Sequence, residues 1–246
     1  MSDRCSRILD DIHRSLLAEA RAIAAQERAS GAPVLLDVGC WDGGATVGYA
    51  QALGARALGV EVFDEPARAA EARGIDVARL DLETQSFPWA DASVDVVVCN
   101  QVFEHLKNVW RPMSEMHRVL RPGGWLLISV PNLASLHNRI LLAFGAQPTS
   151  IRTFGPHVRG FTRRELERFV AHRGAFAIVR SRGVGFHPLV PPWSRPLNAV
   201  WPGASHTLVV VARKTGASGS PWLESVDGGA QTYYREDAAT PDAQAE

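Results

Sequence analysis

Near the start of the chain, Ile8, Leu9, Ile12, Leu16, Ala20 and Ile23 recur at three- and four-residue intervals with charged residues between them. That spacing predicts an amphipathic helix over residues 3–29, which Gly31-Ala32-Pro33 brings to a stop. From there, apolar runs at 34–38, 56–62, 75–80, 94–99 and 124–130 alternate with helical patterns at 44–53, 65–73 and 107–120. The runs VLLDV, ALGVEV, VDVVVC and WLLISV are apolar nearly throughout, as strands buried on both faces must be. Strands alternating with helices imply right-handed crossovers and an α/β fold whose doubly wound, mostly parallel sheet carries helices on both faces.

Past Pro131 the alternation loosens. Leu133, Leu136, Ile140 and Phe144 predict a helix, a polar loop follows over 146–161, and a second helix is expected over 163–173. The runs 176–180 and 206–212 then supply two last strands. Between them lies GVGFHPLVPPWSRPLNAVWPGAS, whose five prolines exclude regular structure over most of its length and whose aromatic residues point to a packed cover. The expected organisation is a leading helix at 1–31 and one domain at 32–213. The domain carries a substrate-side insert at 131–162 and the proline-rich cover at 183–205, and a tail at 214–246 has little to bury and is expected to be partly disordered.

Composition narrows the partners. With 26 Lys and Arg against 26 Asp and Glu, no net field draws the chain to nucleic acid or an anionic membrane. A small molecule is the expected partner. Cys5, Cys40 and Cys99 are scattered without paired spacing, so neither a disulfide framework nor a metal site is expected, and a reducing, cytoplasmic setting fits. No apolar run approaches the ~20 residues that span a bilayer, and MSDRCSRILDD lacks the apolar core of a signal peptide.

Ligands of doubly wound sheets sit at the carboxyl ends of the strands, near the point where the strand order reverses. The residues to inspect are therefore Asp37 to Gly43, Glu61, Asp81 and Asn100 to His105. In DVGCWDGG, Gly39 and Gly43 would let backbone approach a ligand closely. The turn matches neither the G-x-G-x-x-G pattern of dinucleotide sites nor a P-loop, so a phosphate ligand and a dehydrogenase using NAD are disfavoured. Glu61, 22 positions after Gly39, is placed to accept hydrogen bonds from vicinal ribose hydroxyls. Asp81 can accept from an exocyclic amine with the Leu82 amide beside it, and Asp37 favours an ammonium or sulfonium charge. Three acids at strand ends suit a cationic ligand with a ribose, an adenine and an amino acid.

Four blocks in this order resemble the class I S-adenosylmethionine-dependent methyltransferases over roughly residues 33–180: DVGCWDGG, GVEVFD, DLETQSFPWADASVDVVVCNQVFEHL and HRVLRPGGWLLISVPN. The VFEHL and SVPN blocks are shared with the small-molecule O-methyltransferases of quinone biosynthesis and with MetW-like proteins. The segment from PNLASLHNRILLAFGAQP to GPHVRGFTRRELERFVAHRGAF looks like a bacterial group often assigned to glycan or secondary-metabolite modification. The resemblance implies a Rossmann-like, seven-stranded sheet with its last strand antiparallel, and S-adenosyl-L-methionine as cofactor. It implies that Asp37, Gly39, Cys40 and Gly43 hold the methionine end, Glu61 the ribose, Asp81 and Leu82 the adenine, and Asn100 and Gln101 the region of the amino group. One departure is Trp41, where the family's turn has a glycine. Its indole either intrudes on the cofactor or packs against the leading helix.

Methyl transfer from a sulfonium is an in-line displacement that needs alignment and, for a hydroxyl acceptor, removal of a proton. His105, next to the expected methyl position, is the candidate base. His157 and Arg159, in GPHVRGF, are candidates for a second base and an anion clamp at the same mouth. Trp193 and Trp201 are candidates for an apolar lid. The expected function is methylation of a small molecule, on oxygen, in the quinone, secondary-metabolite or sugar class. The alternative is a methyltransferase-fold protein that binds the cofactor and assists a partner enzyme.

Overall fold

Successive side chains of a strand face opposite sides of the sheet, and here both sides are apolar. A computed structural model describes residues 3–27, 31–187, 189, 193–216, 219 and 221–227. Its seven strands are β1 (Val34–Val38), β2 (Arg56–Val60), β3 (Asp76–Ala78), β4 (Val94–Asn100), β5 (Leu120–Pro131), β6 (Phe176–Val184) and β7 (Thr207–Lys214). They lie in the order β3-β2-β1-β4-β5-β7-β6, parallel except for β7, which runs against both neighbours.

One face of the sheet, with Leu35, Val96, Val98, Leu127, Val209 and Val211, packs against α1 (Asp3–Gln26) and α2 (Gly44–Leu53) through Ile12, Leu16, Ala20, Ile23, Tyr49 and Leu53. The opposite face, with Leu36, Val97, Cys99, Leu126, Ile128 and Val210, packs against α4 (Trp110–Val119) and α6 (Arg163–Val170) through Met113, Met116, Leu166 and Val170. Each such side chain contributes roughly 1.5–3 kcal/mol by leaving water. The leading helix is thus a structural layer of the domain. Glu19, buried on it, is held by Arg180 at 2.7 Å and Arg182 at 3.0 Å from β6.

The remaining helices are α3 (Asp64–Ala72), α5 (Leu136–Ala143), α7 (Ser194–Val200) and α8 (Pro221–Asp227). Three expectations need correction. The helix expected over 107–120 is shorter: a 3-10 turn at Phe103–His105 precedes it, Trp110 opens it, and β5 already begins at Leu120. The cover at 183–205 contains a helix, because Pro196 falls in the first turn of α7, where a missing N–H costs no helical bond. Residues 188 and 190–192 of that cover lie outside the described residues. Finally, the segment after 214 does have something to bury. Trp222 on α8 is enclosed at 1% exposure, donates from Nε1 to the Phe169 carbonyl at 2.7 Å and packs edge-on against His117. Residues 228–246 lie outside the description.

Candidate functional site

From β1 the chain winds outward to β2 and β3, then returns to place β4 on the other side of β1. The reversal leaves a crevice beyond the carboxyl ends of β1 and β4, where the two crossovers diverge. A cavity of about 640 Å³ opens there. Asp37, Gly39, Cys40, Glu61, Asp81, Leu82, Asn100, Gln101 and His105 all line it, whereas Gly43, His157 and Arg159 do not.

Glu61 organises the first wall. Its carboxylate is 6% exposed and accepts from the Trp41 amide at 3.1 Å and the Phe63 amide at 3.0 Å, tying the glycine turn to the end of β2. Each oxygen keeps a lone pair for a ligand hydroxyl. Gly39 has φ +77°, and a Cβ there would lie 2.5 Å from Val102 Cγ2, so glycine is required by conformation and by contact. Trp41 takes a left-handed φ of 49° without being glycine, which costs about 1–2 kcal/mol. Its indole borders the cavity without being buried in it. It stands at the lip, 60% exposed, with its ring 6.3 Å from that of Phe63.

Gly43 serves a different purpose from the one expected. A Cβ there would meet Ile75 Cδ1 at 2.4 Å and the Ala70 Cα at 3.0 Å, so its bareness lets the turn close on α3 and on Ile75, just before β3. Cys40 points toward β2, where a Cβ on Gly59 would come 2.6 Å from its Sγ. Burial, with Asp37 and Glu61 nearby, pushes its thiol up to about 12, so it is not a nucleophile.

Asp37 accepts from Thr46 Oγ1 at 2.6 Å. Burial raises its pKa to about 6, and among the described residues no cation pairs with it. Tyr49, one turn beyond Ala45 on α2, lines the same corner. Its ring is buried, its Oη has no hydrogen-bond partner, and burial beside Asp37 pushes its pKa upward. Sequence reading passed over Tyr49, although Ala45 and Tyr49, four residues apart on α2, share one face of the helix. It also passed over Leu9 and His13 of α1, which close the cavity from the helix side.

Asp81 is partly committed to its own turn, since its carboxylate accepts from the Glu83 amide at 2.8 Å and from Thr84 Oγ1 at 3.0 Å. Gln101 has φ 58° and anchors to β5 through its amide, which donates to the Ser129 carbonyl at 3.0 Å. Ser129 Oγ also donates to Asn100 Oδ1 at 2.5 Å and accepts from Gln101 Nε2 at 3.2 Å. Both cavity-facing amides are therefore held from behind by one serine.

The opposite wall begins at the 3-10 turn. Glu104 is buried and His105 half-exposed, with His105 Nε2 4.0 Å from Glu104 Oε1. Burial lifts Glu104 to about 8, while burial and the neighbouring His157 lower His105. His157 stands behind His105, ring centroids 4.8 Å apart at 78°, with Nδ1 2.9 Å from the Ser150 carbonyl. Arg159 is turned away from the mouth. Its Nη2 donates to the Lys107 carbonyl at 2.7 Å and its guanidinium sits 5.2 Å from the Trp110 ring centroid, contacts that hold it off the cavity. Trp193 and Trp201 do not line the cavity either. Trp193 is 73% exposed, and Trp201 stacks with Arg139.

Residues 36–128 match the family model described as a methyltransferase domain. Over 106 residues the chain is 35% identical to an uncharacterized methyltransferase of Mycobacterium sp. (strain KMS), a match that spans 43% of this chain and 42% of that protein. Over 165 residues it is 29% identical to a ubiquinone biosynthesis O-methyltransferase of Methylococcus capsulatus, covering 63% of this chain and 67% of that one. The matched region thus spans less than half the length of the mycobacterial relative. Among solved structures, an S-adenosylmethionine-dependent methyltransferase from Mesorhizobium loti superposes with a TM-score of 0.54 at 22% identity, over 80% of this chain and 100% of the other. No helix among the described residues is long and apolar enough to cross a membrane. With the glycine turn and the acid closing β2 in register, residues 36–128 form a methyltransferase domain, and the chain is similar in sequence and in fold to the S-adenosylmethionine-dependent methyltransferases.

Proposed function

We propose that this protein transfers a methyl group from S-adenosyl-L-methionine to a hydroxyl oxygen of a small molecule. One observation carries the reading: two buried carboxylates, Asp37 and Glu61, face one side of a 640 Å³ cavity, and a half-exposed imidazole, His105, faces the other. The volume lies in the range of small-ligand sites.

The cofactor's polar groups find complements in this chain. Glu61 offers its remaining lone pairs to vicinal ribose hydroxyls, held in place by the Trp41 and Phe63 amides. Asp37, buried without a cation, gains from an ammonium or sulfonium charge, and the unpartnered Tyr49 hydroxyl is a donor in the same corner. Leu82 and Asp81 border the space for the adenine, and Asn100 and Gln101 the space near the amino group. When bound, the cofactor supplies an electrophilic methyl on sulfur. The acceptor oxygen forms the new C–O bond, the C–S electron pair returns to sulfur, and the hydroxyl proton passes to a base.

His105 suits that last role. Its Nδ1 lies 3.3 Å from the Pro156 carbonyl, which favours the tautomer with the proton on Nδ1 and the lone pair on Nε2. Its lowered pKa keeps it neutral at pH 7. Arg159 acts as a positioning residue, its amide and that of Val158 bonding the Glu104 carbonyl at 3.2 and 2.8 Å. The balanced charge supports a small acceptor over nucleic acid. Cys40 and Cys99, both free thiols, fit a reducing cytoplasm.

Incubation with methyl-labelled S-adenosylmethionine and a panel of phenols, quinols and sugars is the test. Label transferred to an acceptor oxygen is the expected result. Cofactor binding with no transfer to any member would overturn it in favour of a protein that assists a partner enzyme.

A further inference from the structure

Glu104, His105 and His157 each bring one ligand-competent atom to within 4.8 Å of the others, at the edge of the cavity. Both histidines are expected at one mouth, but with His157 lying 52 residues beyond His105 no spacing in the sequence marks a ligand set, and the fold adds Glu104 to them. Glu104 is 2% exposed, and its Oε2 is buried with no hydrogen-bond partner. A buried polar oxygen left unsatisfied costs about 1–3 kcal/mol. Nothing in the methyl-transfer chemistry above uses it.

The two imidazoles are prepared in the same way. Each presents Nδ1 to a backbone carbonyl, His105 to Pro156 at 3.3 Å and His157 to Ser150 at 2.9 Å. With the proton on Nδ1, each Nε2 carries a free lone pair. Histidines that bind metals are oriented by this kind of second hydrogen bond. The Glu104 carbonyl is in turn bonded by the amides of Val158 and Arg159, so the loop bearing His157 is fastened to the turn bearing the other two residues.

We propose that Glu104, His105 and His157 form a binding site for a divalent first-row transition cation, with an open coordination position toward the cavity. Two imidazoles and one carboxylate suit zinc, manganese or iron(II). Ligand bonds of about 2.0–2.2 Å require the three atoms to draw roughly 1 Å closer than they stand. A 3-10 turn and a loop accommodate that more readily than packed helices would.

The consequence for chemistry rests on the methyl-transfer reading. An acceptor hydroxyl bound at the open position loses its proton to solvent at a lower pH, and the resulting oxyanion attacks the methyl carbon as the C–S bond breaks. His105 then serves as a ligand, and the cation does the work assigned to the base. The cation site itself needs no acceptor and stands or falls separately.

The full chain, stripped with EDTA and dialysed, is titrated with Co²⁺ by visible absorption and with Zn²⁺ and Mn²⁺ by calorimetry. One equivalent should bind, with a cobalt spectrum of low coordination number. Glu104→Gln and His157→Ala should each weaken binding by more than about tenfold while leaving S-adenosylmethionine affinity within twofold, which shows that the fold is intact. Absence of saturable binding in the wild type, or equal binding in both variants, overturns the site. Methyl transfer that persists unchanged in EDTA overturns its role in the reaction and returns His105 to the base. Metal binding without cofactor binding would sink the methyl-transfer reading and leave the cation site standing.

Discussion

The two walls of the cleft are built differently. On one, Asp37, Glu61 and Asn100 lie at the carboxyl ends of β1, β2 and β4, so the register of neighbouring strands places them, and Asp81 follows in the turn just after β3. On the other, Glu104 and His105 ride a single 3-10 turn and His157 comes from the loop between α5 and α6, held by two backbone hydrogen bonds. A ligand common to a whole family can be read by rigid strand ends. The partner that distinguishes one member must be met by loops, which change without disturbing the sheet.

If the walls are independent, damage to one spares the other. His105→Ala should lower kcat by about 10²- to 10⁴-fold and leave the dissociation constant for S-adenosylmethionine unchanged. Steady-state kinetics beside calorimetry checks both, and a matching loss of cofactor affinity would break the comparison.

Asp37 gives the next largest effect, through pH. Its folded pKa of about 6 exceeds the ordinary value of 3.8, so the folded state binds the proton more tightly than the unfolded one. Stability should therefore fall as pH rises from 4 to 6, the burden being fully present above 6, and amount to on the order of 3 kcal/mol. Denaturant midpoints for wild type and Asp37→Asn across that window should converge at pH 4 and separate at pH 7, with the variant the more stable. The variant should also lose the gain in cofactor affinity that ionised Asp37 provides above pH 6.

Gly39→Ala tests the turn as a rigid element. The new Cβ meets Val102 and the backbone stays left-handed, so a cost of about 1–3 kcal/mol in stability and a weaker cofactor complex are expected. An unaltered melting temperature and affinity would show that the turn yields. Tyr49→Phe is the mildest change. Removing an unpartnered hydroxyl should leave thermal stability the same or slightly higher, while cofactor affinity drops about 3- to 10-fold if the hydroxyl donates to the ligand. No change in affinity would remove Tyr49 from the site.

The same contrast decides what was legible. Buried parallel strands write themselves as apolar runs, so β1 and β4 stand out, and an acid such as Glu61 closing an otherwise apolar run is conspicuous. The run 206–212 marks β7 as a strand, but its antiparallel direction follows only from the resemblance. Features set by distant contacts left no local mark. Gly43 faces Ile75 and Ala70, Arg159 turns to Trp110, and the single Trp222 seats α8 within a stretch of small polar residues. The trio of Glu104, His105 and His157 belongs with these, invisible to motif spacing because its third member arrives by tertiary packing.

Glu61 is the residue on which the proposed cofactor wall depends, since it joins the turn to the end of β2 and lines the cavity where the ribose is proposed to sit. Calorimetric titration of wild type and Glu61→Ala with S-adenosylmethionine and S-adenosylhomocysteine, with NAD as the control ligand, tests it most directly. Both sulfur ligands should bind the wild type, NAD should not, and the variant should lose about 3 kcal/mol, roughly a hundredfold or more in affinity. Binding unaffected by the substitution, or a wild type that takes up NAD instead, would contradict the assignment of this cleft.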